Sequence, residues 1–167
     1  MNDLPYNDPQ PTQKAVEAIK TFIRLTGHHP NTIALCGPVG AGKTHDACAL
    51  ALQSQGHNGG IGGAIVFAHC SSIQRWDDEQ MNRAQIVRFL ILDDYGARQS
   101  EGALIRAYEL LDTRMHNHKR ITLLTTNLVS EIRDIDKRMA SRLNTACIIN
   151  YEGMPDRRLE LYKKGKK

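Results

Sequence analysis

Gly37-Pro38-Val39-Gly40-Ala41-Gly42-Lys43-Thr44 reads G-x-x-x-x-G-K-T, a pattern whose chemistry suits the triphosphate of a nucleotide and its magnesium ion. Gly37 and Gly42 admit backbone conformations that a Cβ forbids, so the loop from Gly37 through Pro38, Val39, Gly40 and Ala41 to Gly42 can curl around one bound anion and turn its N–H groups, which Pro38 alone lacks, toward it. Lys43 brings a mobile cation to the β and γ phosphates, and Thr44 offers its hydroxyl to Mg²⁺. The flanks agree with this reading. A short apolar strand, Thr32-Ile33-Ala34-Leu35-Cys36, precedes the loop, and a helix from Lys43 to about Ser54 follows it with its dipole facing the phosphates.

Working outward, Ala15, Val16, Ile19, Phe22 and Ile23 recur at helical spacing and end near Gly27. Beyond the phosphate-loop helix, residues 55 to 63 are too rich in glycine to be anything but a loop, and a second strand follows near Ala64 to Ala68. A short helix is expected around Ile73 to Trp76 and a third strand over Ile86 to Leu92, closing on Asp93-Asp94. Ala103, Leu104, Ala107, Tyr108, Leu111 and Met115 mark a helix with Arg106 and Arg114 off or beside its apolar stripe. A fourth strand (Ile121 to Thr125), a short helix holding Met139 and Leu143, and a fifth strand (Cys147 to Ile149) complete the series. Strands apolar on both faces that alternate with helices predict an α/β fold, a five-stranded parallel sheet covered by helices on both sides.

The 167 residues suit one domain with a real core. Residues 1–30 are expected to join the core as an N-terminal segment and helix, 31–158 to form the nucleotide-binding core, and 159–167 a basic tail. The net charge of +4 is mild, yet Arg157, Arg158, Lys163, Lys164, Lys166 and Lys167 crowd the end of the chain. Such a run suits nucleic acid, or simply a solvated terminus. Cys36, Cys48, Cys70 and Cys147 form no C-x-x-C pair, which argues against zinc and disulfide frameworks and for a reducing cytoplasm. No apolar run nears the roughly 20 residues that span a bilayer, and the start has no secretory pattern, so no membrane partner is expected.

Asp93 and Asp94 follow the apolar Phe89-Leu90-Ile91-Leu92, and the carboxyl end of such a strand is where parallel sheets bind ligands. Asp93 is placed to complete the magnesium shell begun by Thr44, and Asp94 to orient or polarise the water that attacks the γ phosphate. Thr125-Thr126-Asn127 puts polar groups at another strand end, where Asn127 can reach the γ phosphate or the water, or merely cap a turn. Arg138 and Arg142 stand one helical turn apart. Arg114 could touch a neighbour's nucleotide or cap its own helix. The seven histidines form no H-E-x-x-H or similar ligand set.

Gly37 to Thr44, the strand ending Leu92-Asp93-Asp94-Tyr95-Gly96-Ala97, the Thr125-Thr126-Asn127 element and Ser141-Arg142-Leu143 occur in the order of the AAA+ ATPase cores of DnaC-type helicase loaders and IstB-type transposition helpers, which the chain resembles from about Tyr6 to Arg158. The resemblance implies a three-layer P-loop NTPase fold of AAA+ type, with ATP and Mg²⁺ as cofactors. It implies that Asn127 is sensor 1 and that Arg142 is an arginine finger acting in trans, with Tyr6 and Gln13 at the adenine pocket. Departures from the family matter as well. With seventeen residues after Asn150 no full C-terminal lid is expected, with about thirty before the first strand the helicase contact of DnaC-type loaders is not carried over, and Asp94 replaces a glutamate usual elsewhere, which suits slow hydrolysis.

The function implied is that of an ATP-hydrolysing assembly switch on DNA: a homo-oligomer formed with ATP, acting on single-stranded DNA as a helicase loader with a replicative helicase as partner. DNA contact has no aromatic stacking platform behind it, so binding should be salt-sensitive. Two other readings compete: a transposition helper that configures duplex DNA, and a small-molecule phosphotransferase.

Overall fold

The computed structural model describes residues 10–56, 64–96, 99–117, 119–127 and 137–157. Helix α1 (Gln13–Thr26) opens on Thr12, whose side chain accepts from the Ala15 N–H, and stops at Gly27, whose φ of 75° favours a residue without Cβ. Then come β1 (Thr32–Cys36), α2 (Lys43–Gly56), β2 (Ile65–His69), α3 (Cys70–Ile73), α4 (Asp78–Ile86), β3 (Phe89–Tyr95), α5 (Glu101–Met115), β4 (Ile121–Thr126), α6 (Lys137–Leu143) and β5 (Cys147–Asn150).

The five strands pair in parallel in the order β2-β3-β4-β1-β5, and period-two alternation divides their side chains between two cores. Ala34, Cys36, Leu90, Leu92 and Leu124 face α3 to α6, while Ile33, Leu35, Phe89, Ile91 and Leu123 face α1 and α2. Burial on both faces is why the strands read as unbroken apolar runs. The step from β1 to β2 passes over β4 and β3, which sets the loop after β1 beside the carboxyl ends of both.

Three expectations are corrected. The short helix expected around Ile73 to Trp76 lies earlier, at Cys70–Ile73, and residues 74–76 are not helical. Ile86 does not begin β3: it ends α4 and is 67% exposed. An Asp77–Gln80 capping box starts this helix, with the Asp77 carboxylate accepting from Gln80 N–H at 2.8 Å and the Gln80 side chain accepting from Asp77 N–H at 3.1 Å. Arg114 is not off the apolar stripe of α5; it lies on it with Ala107, Leu110 and Leu111 and is 1% exposed. The four cysteines are buried and free, and burial pushes the Cys36 and Cys147 thiols up to about 11 and that of Cys48 to about 12. Among the described residues no helix is long and apolar enough to cross a membrane.

Candidate nucleotide site

The loop between β1 and α2 is tied to the sheet by Gly37 N–H, which donates to Thr126 O at 3.2 Å, and leads into the helix as Asp46 N–H donates to Gly42 O at 3.0 Å. Lys43 is 7% exposed, and its ammonium donates to Gly37 O at 2.9 Å, Pro38 O at 2.7 Å and Asn127 Oδ1 at 2.9 Å. The cation is thus held inside the loop, on the side where β4 ends. Val39, at the tip, is 61% exposed, and Ala41 is fully buried under the loop.

Asp93, at the end of β3, is 6% exposed, and its Oδ1 accepts from the Thr44 hydroxyl at 2.7 Å and the Thr125 hydroxyl at 2.8 Å. Its Oδ2 lies 3.2 Å from His69 Nδ1 at the end of β2. Asp94 points elsewhere: its N–H donates to Thr125 Oγ1 at 2.9 Å, and its exposed carboxylate accepts from Asn127 Nδ2 at 2.9 Å. One amide therefore spans the loop lysine and the second acid. The Thr44 hydroxyl and the Asp93 carboxylate supply two adjacent hard oxygens, the donor set that Mg²⁺ takes from a protein while keeping water and phosphate ligands.

A second cluster behind the loop was not foreseen. Asp46, fully buried in the first turn of α2, accepts from Thr12 N–H at 3.2 Å, from the Thr12 hydroxyl at 2.5 Å and from the Tyr151 hydroxyl. Burial first, and then the hydrogen bond to Asp46, push the Tyr151 hydroxyl well above its ordinary range. The ammonium of Lys14 stands 5.8 Å from the Tyr151 ring centre, and a guanidinium nitrogen of Arg157 lies 3.8 Å from Asp46. This carboxylate thus joins the start of α1 and the segment after β5 to the phosphate-loop helix. Gln13, expected at the adenine pocket, is exposed on α1, and Tyr6 lies outside the described residues, as do Arg158 and the basic tail.

The arginines separate into different roles. Arg114 spends its donors on Ala84 O, Val87 O, Ile121 O and Thr122 Oγ1, at 2.7, 2.7, 2.8 and 2.8 Å, with longer bonds of 3.3 Å to Gln85 O and Arg88 O. It caps neither its own helix nor a neighbour's nucleotide: it closes the last carbonyls of α4 and fastens them to the starts of β3 and β4. Burial lowers its guanidinium to about 10, which leaves it charged at neutral pH. Arg142 pairs with Asp112 of α5 at 2.5 Å, and a hydrogen bond with Tyr108, then the charge of Asp112, raise its pKa. Arg138 lies over the Tyr108 ring at 5.1 Å.

Comparison with known proteins places the architecture. Over nine-tenths of its length the chain superposes on the AMPPCP-bound DnaA of Aquifex aeolicus, with a TM-score of 0.64 and 20% identity, covering 50% of that chain. The fold is that of the AAA+ P-loop ATPases. A DnaI structure matches with a TM-score of 0.62 and 21% identity, over 93% of this chain and 87% of that one. A DnaC helicase loader gives 0.58 and 22%, over 89% and 95%. In sequence, an uncharacterised Bacillus subtilis (strain 168) protein, YqaM, is 26% identical over 149 residues, 80% of this chain. The chain spans 46% of the length of that relative. No family model matches the sequence.

Proposed function

We propose that this AAA+ chain is an ATP-hydrolysing switch that assembles on single-stranded DNA during replication, in the manner of a helicase loader. The observation that carries this reading is the meeting of Lys43, Thr44, Asp93, Asp94 and Asn127 at the carboxyl ends of β1, β3 and β4. Likeness to DnaA, DnaI and a DnaC helicase loader supports the replication context, and one DnaA neighbour was solved with AMPPCP and single-stranded DNA. The working place of such a protein is the cytoplasm, and residues 31–158 are its ATPase core.

Lys43 exchanges its carbonyl partners for β and γ phosphate oxygens, with the loop from Gly37 to Gly42 supplying N–H donors. Thr44 and Asp93 would hold Mg²⁺, which when bound neutralises charge on the β and γ oxygens. Asp94 and Asn127 orient a water whose oxygen attacks the γ phosphorus while the bond to the β–γ bridging oxygen breaks; the products are ADP, inorganic phosphate and a proton. Arg142 leaves Asp112 to reach a neighbouring subunit's γ phosphate, so turnover follows assembly.

Light scattering with a non-hydrolysable ATP analogue, with and without a single-stranded oligonucleotide, tests the proposal. Wild type should assemble, Lys43→Ala should lose nucleotide, and Arg142→Ala should bind nucleotide yet neither assemble productively nor turn over. A wild-type monomer with analogue and oligonucleotide together, and unchanged turnover in Arg142→Ala, would refute it.

A further inference from the structure

The chain that follows β5 returns to the phosphate loop and lies against it. Tyr151 N–H donates to Cys36 O at 2.7 Å, Met154 N–H closes a turn on Tyr151 O at 3.0 Å, and Arg157 N–H donates to Gly40 O at 3.0 Å. The side chains follow. A Cβ built on Gly40 would stand 2.2 Å from Asp156 Cγ, and one built on Gly42 would stand 2.6 Å from an Arg157 guanidinium nitrogen and 2.7 Å from its Cδ.

Room left by a missing Cβ lets a bound anion come close to the main chain of such a loop. Here that room is used by two side chains of the same molecule. A carboxylate against Gly40 repels a polyphosphate, and the Arg157 stem fills space over Gly42, next to Lys43. The two ends of the segment differ in how firmly they are held. Tyr151 is buried and bonded to Asp46, and Met154 is half-buried against the core, whereas Pro155 beyond them is exposed and Asp156 and Arg157 are only half-buried, held by the Arg157 N–H on Gly40 O and by a guanidinium nitrogen 3.8 Å from Asp46.

We propose that residues 151–157 form a strap that competes in cis with nucleotide for the phosphate loop, fixed at Tyr151 and Met154, pivoting at Pro155 and lifted at Asp156 and Arg157 when ATP binds. The proposal rests on the reading of the loop as a nucleotide site, and its test separates the two.

Titration of the full chain with a fluorescent ATP analogue and Mg²⁺ compares wild type, the double variant Asp156→Ala/Arg157→Ala, Arg157→Pro, which also removes the N–H donated to Gly40, and Lys43→Ala. Asp46 keeps Thr12 and Tyr151 in all of them. The strap variants should bind roughly three- to tenfold more tightly, the factor expected when an equilibrium loses the bias of about one hydrogen bond. In wild type the Arg157 amide should exchange faster with the analogue than without it, opposite to ordinary ligand protection. Unchanged or weaker binding in the strap variants, with binding still abolished in Lys43→Ala, overturns the strap alone; weaker binding makes Arg157 a phosphate contact instead. A wild type indistinguishable from Lys43→Ala overturns the strap and the nucleotide site together.

Discussion

Arg114→Met should be among the most damaging single substitutions outside the nucleotide site. Methionine nearly reproduces the apolar stem, so the space along α5 stays filled, while the four short bonds to Ala84 O, Val87 O, Ile121 O and Thr122 Oγ1 vanish. A buried carbonyl stripped of its donor costs about 1–3 kcal/mol, so the three carbonyls together lose roughly 3–9 kcal/mol. Removing a buried cation returns part of its desolvation cost. A net loss of about 2–5 kcal/mol is large beside the roughly 5–15 kcal/mol that holds a typical domain. Urea unfolding followed by circular dichroism reads it directly, and Arg114→Lys, which keeps the charge without the planar fork, should fall between. A folded Arg114→Met within about 1 kcal/mol of wild type, yet defective in turnover, would refute the structural role and return Arg114 to the nucleotide of a neighbour.

Tyr151→Phe removes a donor to buried Asp46 and should cost about 1–2 kcal/mol at neutral pH. Because folding raises the tyrosine pKa above its usual value of about 10, the stability it contributes is complete below that pH and is lost as pH rises further; chemical denaturation between about pH 9 and 11 should show a steeper decline in wild type than in the variant, and equal slopes would contradict this. Asn127→Ala breaks the bridge from Lys43 to Asp94 and should lower turnover by roughly 10- to 100-fold while nucleotide affinity changes little, as single-turnover and binding measurements would show; a loss confined to affinity would oppose a role with the attacking water.

The residues that were legible and those that were not differ in how their partners are spaced. Each strand buried on both faces announces itself by an apolar run, and the phosphate loop by residues adjacent in sequence. Helix α4 was hidden because Ile86 and Val87 extend the apolar run of β3 toward the helix, while Asp78 to Gln85 holds little that is apolar. Its capping box, Asp77-x-x-Gln80, was the available signal. Spacing could likewise have placed Arg114, seven residues after Ala107 and three after Leu111, on the buried stripe. Asp46 offered no such sign. An acid in the first turn of a helix reads as a dipole complement, and only the fold brings Thr12 and Tyr151 to it, across separations of 34 and 105 residues.

The paired acids show why a motif and its geometry carry different information. Consecutive residues of a regular strand face opposite sides of the sheet, so Asp93 and Asp94 cannot both address the loop from an undisturbed β3. The chain breaks the alternation. Register with β4 shifts between Leu92 and Tyr95, and Asp94 adopts a φ of 59°, a left-handed conformation that costs a non-glycine residue about 1–2 kcal/mol and that aspartate tolerates better than most. The Thr125 hydroxyl holds the distortion from both sides, donating to Asp93 and accepting from Asp94 N–H. Local strain of this kind persists only where its surroundings enforce it. Here it leaves Asp93 buried against Thr44 and turns Asp94 outward to Asn127, so that two adjacent carboxylates meet the phosphate loop by separate routes, one through a hydroxyl and one through an amide.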